Sequence, residues 1–280
     1  MTDVSVVAEW ERYECDKRRT CCQTVGRVIS HVFKRSFNAL TRADIAGRLV
    51  SESSMSALEL ISQHILDHLS EKRPLFVALQ GPQGSGKSYL SARLQTHLQS
   101  TPCSLRVAAF SIDDLYLPHE DLISLAASFP NNMLWKGRGQ PGTHDIELGV
   151  EILSALKTAR SRAELPRFDK SLFGGEGDRL PMDGSGTVVE QPPAVDVVVF
   201  EGWCVGFHPI SEVELLSRWN GIWRQEKEKL SLEENQMGRL EDVKAINEKL
   251  KDYLKLWSFF DVFIQVRSDI LVFVKSLTMS

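Results

Sequence analysis

The stretch Gly81-Pro82-Gln83-Gly84-Ser85-Gly86-Lys87-Ser88 constrains this chain more than any other, because it satisfies G-x-x-x-x-G-K-[ST] at every fixed position. Its flanks match what such a loop needs. Residues 74–80 (PLFVALQ) form a short apolar run that reads as a buried parallel strand. Leu90, Leu94 and Leu98 then recur at helical spacing. In a strand, glycine turn, helix frame, backbone N–H groups turn inward around a phosphate chain, where side chains would clash. The helix N-terminus adds its positive end. In this frame Lys87 reaches the β and γ phosphates and Ser88 ligates Mg²⁺. The alternative is a chance glycine turn between two core elements, and the matching flanks weigh against it.

Bulk properties narrow the partners. The 280 residues carry a formal net charge of −4 and a pI near 6.0, whereas a general nucleic-acid binder is usually basic. Hydrophobic content of 42% and charged content of 25% are those of an ordinary globular protein. No apolar run is long enough to span a membrane. Glu9, Glu11 and Glu14 interrupt any secretory leader, although Lys17, Arg18, Arg19 and Arg27 form a basic patch near the start. Five cysteines are scattered without a C-x-x-C pair, which favours a reducing compartment, by default the cytoplasm. Neither nucleic acid nor a membrane is therefore an expected partner. Composition is silent on oligomeric state.

Taken in order, residues 1–55 read as an N-terminal extension, with one possible helix over 25–37. Residues 56–280 read as a single domain. Leu58, Ile61, Ile65 and Leu69 mark a helical face before the first strand. A second strand is expected over 105–111, followed by a short helix over 120–129 and a Gly, Asn and Pro-rich loop over 131–143. Thr143 is placed to cap a helix whose core face is Ile146, Val150, Leu153 and Leu156. Residues 162–193 form the longest irregular region. A third strand spans 195–200, residues 211–257 look helical, with 223–235 a charge-dense solvated face, and a fourth strand spans 261–266. Alternation of strand and helix predicts an α/β P-loop fold, its sheet mostly parallel with helices on both faces.

Ligands of such sheets bind beyond the carboxyl ends of the strands. Three carboxylates stand there. Glu201 follows an apolar run directly and suits a metal-binding role, against a bland reading as an exposed strand-end glutamate. Asp113 could accept the proton of a substrate hydroxyl, and Asp114 is its rival; both could instead be turn formers. Phosphoryl transfer also needs cations, and Arg167, Lys170 and Arg179 lie in the long loop, with Lys136 and Arg138 upstream. Solvated loop charge is the simpler account of each. Trp135 and Trp203 read as packing residues. No N-K-x-D guanine-reading segment is visible.

Ser111-Ile112-Asp113-Asp114-Leu115-Tyr116, Arg138-Gly139-Gln140-Pro141-Gly142-Thr143-His144-Asp145, Pro166-Arg167-Phe168-Asp169-Lys170-Ser171, Gly177-Asp178-Arg179 and Phe200-Glu201-Gly202-Trp203 together resemble the D-glycerate 3-kinase family, within the wider phosphoribulokinase/uridine kinase group. The resemblance covers about residues 56–275. It implies transfer of the ATP γ-phosphate, with Mg²⁺, to a hydroxyl of a small acid or sugar-like acceptor. It also implies that Asp113 is the acceptor-side base, that Glu201 sits by the metal, and that Asp145 lies near the acceptor. Asp145 could equally be an acid in the first turn of a helix. With these go Asp114, Tyr116, Arg167, Lys170 and Arg179 as residues expected around the acceptor. Family members continue past the equivalent of residue 275 into a segment near which the wider group places lid arginines; here the chain reads Val272-Phe273-Val274-Lys275-Ser276-Leu277 and soon stops. A truncated domain that binds ATP and turns over slowly or not at all is the expectation. The alternatives are a kinase for a nucleoside, pantothenate or a sugar phosphate, or a non-catalytic ATP-binding protein.

Overall fold

A computed structural model describes residues 56–69, 73–229, 238–266 and 271–274. The N-terminal extension, its 25–37 helix and Lys275 lie outside these residues. Ser56 opens helix α1 (Ala57–His68) with a capping box, its hydroxyl accepting from Glu59 N while the Glu59 carboxylate accepts from Ser56 N. Strand β1 (Leu75–Gln80) leads through the glycine loop into α2 (Lys87–Gln99). Strand β2 (Val107–Ser111) ends in a single 3-10 turn (Ile112–Leu115), followed by α3 (His119–Ser128) and α4 (Ile146–Thr158). Thr143 does not cap α4. Its hydroxyl is buried, donating to Gln140 O at 2.7 Å, and Asp145 is the cap, accepting from Leu148 N at 3.0 Å.

The region 162–193 is not irregular throughout. Strands β3 (Ala163–Leu165) and β6 (Thr187–Val189) pair antiparallel, and β4 (Phe168–Asp169) pairs with β5 (Asp178–Arg179) inside them. Strands this short show no period-2 pattern to read. Beyond β7 (Val197–Gly202), the region read as helical is broken. Helix α5 (Glu212–Arg218) passes into a π turn (Trp219–Trp223), then α6 (Arg224–Lys229), and α7 (Leu240–Trp257) follows. Trp223 is buried, so the charge-dense face starts only after it. Strands β8 (Val262–Val266) and β9 (Leu271–Val274) follow α7.

Among the described residues the main sheet runs β2-β7-β1-β8-β9. The first four strands are mutually parallel, and β9 joins antiparallel at the edge. Side chains of each strand alternate between two cores. Leu75, Val77, Leu79, Val197, Val199, Val262 and Ile264 face α1 and α2, where Ile61, Ile65, Leu94 and Leu98 are fully buried. Phe76, Ala78, Val198, Phe200 and Phe263 face α4 and α7. The apolar stripe of α7 is buried at Val243, Ile246 and Leu250, while Leu240 and Leu254 flank it partly exposed. Helices therefore cover both faces, and the carboxyl ends of β1, β2 and β7 are left to carry the site.

Candidate active site

Two left-handed glycines shape the loop after β1: Gly84 at φ +78° and Gly86 at φ +76°, the latter opening α2. A side chain at either would be strained, and Gly86 lacks any side-chain cap, so the first N–H groups of α2 are left for a ligand. Ser88, in the first turn, donates its hydroxyl to Glu201 Oε1 at 2.7 Å. Glu201 lies inside β7 and is 5% exposed, which removes the reading of an exposed strand-end glutamate. Its second oxygen is buried with no hydrogen-bond partner. Burial raises the Glu201 carboxyl above its usual range, opposed by the charge of Lys87 and the Ser88 hydrogen bond. An orphaned carboxylate oxygen beside a hydroxyl is a hard, oxygen-only donor set. It fits Mg²⁺, which takes few protein ligands and completes its shell with water and phosphate. Among the described residues no group of three or more His, Cys, Asp or Glu could hold a metal without such help.

The register of the sheet brings the end of β2 alongside. Ser111 on β2 is the lateral partner of Glu201 on β7. The chain then tightens into the 3-10 turn, held close because Gly202 has no side chain: a Cβ there would come within 2.3 Å of Ile112 Cγ2. Asp113 projects from this turn. Lys170 donates to its Oδ2 at 2.6 Å and the Tyr116 hydroxyl to its Oδ1 at 3.1 Å. Burial would raise the Asp113 carboxyl, but the charge and hydrogen bond of Lys170 outweigh it, with help from His144 and Lys87, so the group sits below its usual value. Lys87 thus acts electrostatically on both Asp113 and Glu201.

Asp114 is placed differently. Its Oδ2 accepts from Ser111 N at 3.1 Å and its Oδ1 from Phe168 N at 3.3 Å, so it closes the turn and ties β4 to it. Burial raises its carboxyl, and those two amides oppose the shift. Asp145 caps α4 with one oxygen and takes Arg179 Nη1 at 2.7 Å with the other. Arg167 is exposed, its carbonyl accepting from Leu180 N at 2.8 Å. Arg138 lies over the Phe168 ring at 5.5 Å and donates to the carbonyls of Gly175 and Glu176; Lys136 donates to Pro130 O at 2.7 Å. Trp135 and Trp203 are buried packing residues. The chain pairing that holds this side together is therefore Lys170 to Asp113 and Arg179 to Asp145, over 57 and 34 residues of sequence.

Two residues of this neighbourhood are not among the expected site residues: His144, although it lies in the 138–145 motif, and Tyr253. His144 reads as a packing residue, yet its ring stacks on Tyr116 at 4.5 Å, and its Nδ1 lies 2.6 Å from the Tyr253 hydroxyl. Tyr253 sits within the buried face of α7, three residues after Leu250, where the helical period alone suggests an apolar residue. The signal that could have found it is a hydroxyl inside an otherwise apolar stripe.

No family model matches the chain. It is 40% identical over 161 residues to the Saccharomyces cerevisiae protein named "Probable ATP-dependent kinase TDA10", an alignment covering 55% of this chain and 54% of that one, so the chain spans about half the length of this relative. It is 36% identical over 220 residues to "Uncharacterized kinase mug58" of Schizosaccharomyces pombe, covering 76% of this chain and 74% of that protein. Among solved structures, a D-glycerate 3-kinase from Cryptococcus neoformans superposes with a TM-score of 0.64 at 36% identity, covering 75% of this chain and 73% of that one. A strand-loop-helix frame of the P-loop kind and this degree of identity lead to one conclusion: the chain belongs to the family of ATP-dependent P-loop kinases that includes D-glycerate 3-kinase.

Proposed function

We propose that this chain binds Mg·ATP on residues 81–88 and transfers the γ-phosphoryl group to a hydroxyl of D-glycerate or a similar small hydroxy acid. The observation that carries this reading is Asp113: a carboxylate at the end of β2, kept ionised by Lys170, one strand from the Ser88–Glu201 pair. Its place suits a general base, and Lys170 keeps it in the deprotonated form that a base needs. The acceptor oxygen forms a bond to the γ-phosphorus, the bond from that phosphorus to the ADP oxygen breaks, and the hydroxyl proton passes to Asp113. Lys87 and the loop amides balance charge on the phosphates. Ser88 and Glu201 would hold Mg²⁺, which neutralises phosphate charge as the phosphoryl group moves. Asp114 acts by shaping the turn beneath Asp113.

The acceptor's class follows from the cations. Lys170 and Arg179 both face carboxylates on this side of the site, and Arg167 is exposed on the same β4–β5 hairpin. A carboxylate-bearing acceptor can exchange into such ion pairs, and arginine offers it a bidentate match. The D-glycerate 3-kinase likeness supports the same class. Cys103 and Cys204 are free thiols, which suits a reducing compartment such as the cytoplasm.

The test is ADP release measured with ATP alone and with D-glycerate, pantothenate, nucleosides and sugar phosphates in turn. D-glycerate or a close hydroxy acid should give the largest stimulation. Stimulation by a nucleoside or pantothenate in its place would move the acceptor, and no acceptor-stimulated ADP at all would leave an ATP-binding protein without transferase activity.

A further inference from the structure

Behind Tyr116 lies a buried polar chain that the reaction above does not use. Tyr253 is fully buried on α7, and its phenol oxygen accepts the Gly142 N–H at 2.8 Å. The same oxygen lies 2.6 Å from His144 Nδ1. Burial keeps the phenol protonated, its pKa well above the usual value, and pushes His144 down to about 4, so the ring is neutral. The phenol proton then has Nδ1 as its acceptor, and a neutral imidazole that accepts at Nδ1 carries its own proton on Nε2. The groups within electrostatic reach of this pair are Asp113, Asp252 and the buried Cys204 thiol, which burial keeps protonated.

From His144 the chain continues toward the base. Its ring stacks on Tyr116 with the planes 23° apart, and the two residues also share a backbone bridge. Tyr116 then donates to Asp113 Oδ1. Meanwhile His144 Nε2 is buried without a hydrogen-bond partner. An unpaired buried N–H is a cost that a phenylalanine stacked in its place would not carry. What the imidazole gains over phenylalanine is the Nδ1 contact to α7.

We propose that Tyr253 and His144 are positioning residues for phosphoryl transfer, the Gly142–Tyr253–His144 chain fixing the plane on which Tyr116 stacks and so the direction in which Asp113 points. This rests on Asp113 being the base. Asp113 is then held from two sides. Lys170, 55% exposed, grips Oδ2 from the solvent side and can leave when an acceptor arrives. The buried chain grips Oδ1 from the core and stays. Misplacement of a reacting group by about 1 Å can cost about 100-fold in rate, so the inner grip is the one that sets geometry.

The experiment compares wild type, Tyr253→Phe, His144→Phe and the double variant in acceptor-stimulated turnover, with folding checked by melting temperature. We expect kcat of Tyr253→Phe to fall about 10- to 100-fold with the KM for ATP within about twofold of wild type. The double variant should be no worse than the worse single variant, as for residues acting in one chain. Nitrogen NMR on the wild type should show a neutral Nε2–H tautomer for His144, a signature that needs no turnover. A folded Tyr253→Phe with unchanged kcat, additive losses, or an Nδ1–H tautomer would overturn the proposal while leaving Asp113 as base. If Tyr253→Phe does not fold, the wild-type tautomer decides. A wild type that phosphorylates no acceptor removes the kinase reading, and the positioning role goes with it.

Discussion

In the proposed reading, the phosphate end of the site takes its donors from one run of eight residues and a single glutamate on the neighbouring strand, whereas the acceptor end draws Asp113, Tyr116, Asp145, Lys170 and Arg179 from separate segments of chain. The first end is backbone. Left-handed Gly84 and Gly86, the helix start and the sheet register fix it, and only Lys87, Ser88 and Glu201 add side-chain chemistry. The second end is side-chain pairing across long sequence separations, at least one partner of which is half-exposed. A backbone cradle suits a ligand that does not change, the phosphate chain. An ion pair whose lysine is half-exposed can exchange for an incoming carboxylate, which would suit an acceptor end.

Lys87→Ala tests the phosphate end alone, and carries the largest expected effect. Lys87 acts electrostatically on both Asp113 and Glu201 and should contact the β and γ phosphates. Turnover should drop by at least about 10³-fold, the upper range for loss of one preorganised charge donor. The side chain is only half-buried, so the melting temperature should barely move. A folded Lys87→Ala protein with normal turnover would take the loop out of the mechanism.

Asp113→Asn tests the acceptor end alone. The amide keeps the shape but cannot take a proton, so kcat should fall by about 10²–10⁴-fold while ATP affinity holds. Asp114→Asn is the counterpart. Its oxygens accept two backbone amides, and an asparagine keeps one acceptor, so the expected change is in stability more than in kcat. Should Asp114→Asn give the large kinetic loss and Asp113→Asn a small one, the two assignments exchange places.

The same contrast explains what could be read ahead of the structure. The P-loop, its flanking strand and helix, the four parallel strands and both helical faces were legible because each rests on contiguous spacing: Leu94 and Leu98 on α2, Val243, Ile246 and Leu250 on α7. The β4–β5 and β3–β6 pairs were not, since two or three residues hold no periodicity. Thr143 and Asp145 are both good caps two residues apart, and only the turn that buries Thr143 against Gln140 decides between them. Cations could be counted in the loop, but their partners could not: Lys170 finds Asp113 and Arg179 finds Asp145 only once the β4–β5 hairpin folds back under α3 and the 3-10 turn, where Asp178 also accepts from His119 N. Tyr253 was hidden because a tyrosine in a buried stripe satisfies the helical period whatever its hydroxyl does.

The smallest effect is the most discriminating about the acceptor end. Lys170→Gln removes the cation that holds Asp113 ionised. Burial, until then outweighed, acts on the carboxyl with only the weaker influences of His144 and Lys87 against it, so the Asp113 pKa should rise. A general base works only when deprotonated, so the acidic limb of the kcat profile should move to higher pH. At pH well above that limb the two enzymes should differ only a few-fold, since Asp113 is then deprotonated in both. Stability should respond to the same change in pKa. A carboxyl with a depressed folded pKa stabilises above its unfolded pKa and loses that contribution as pH falls through the folded one. In Lys170→Gln the folded pKa moves up toward or past the unfolded one, so that contribution shrinks and the variant should lose less stability on acidification than wild type does. The measurement is kcat and melting temperature across a pH series for both proteins. An acidic limb that stays in place would mean that Lys170 merely rests on Asp113, and that the inner hold through Tyr116 alone governs the base.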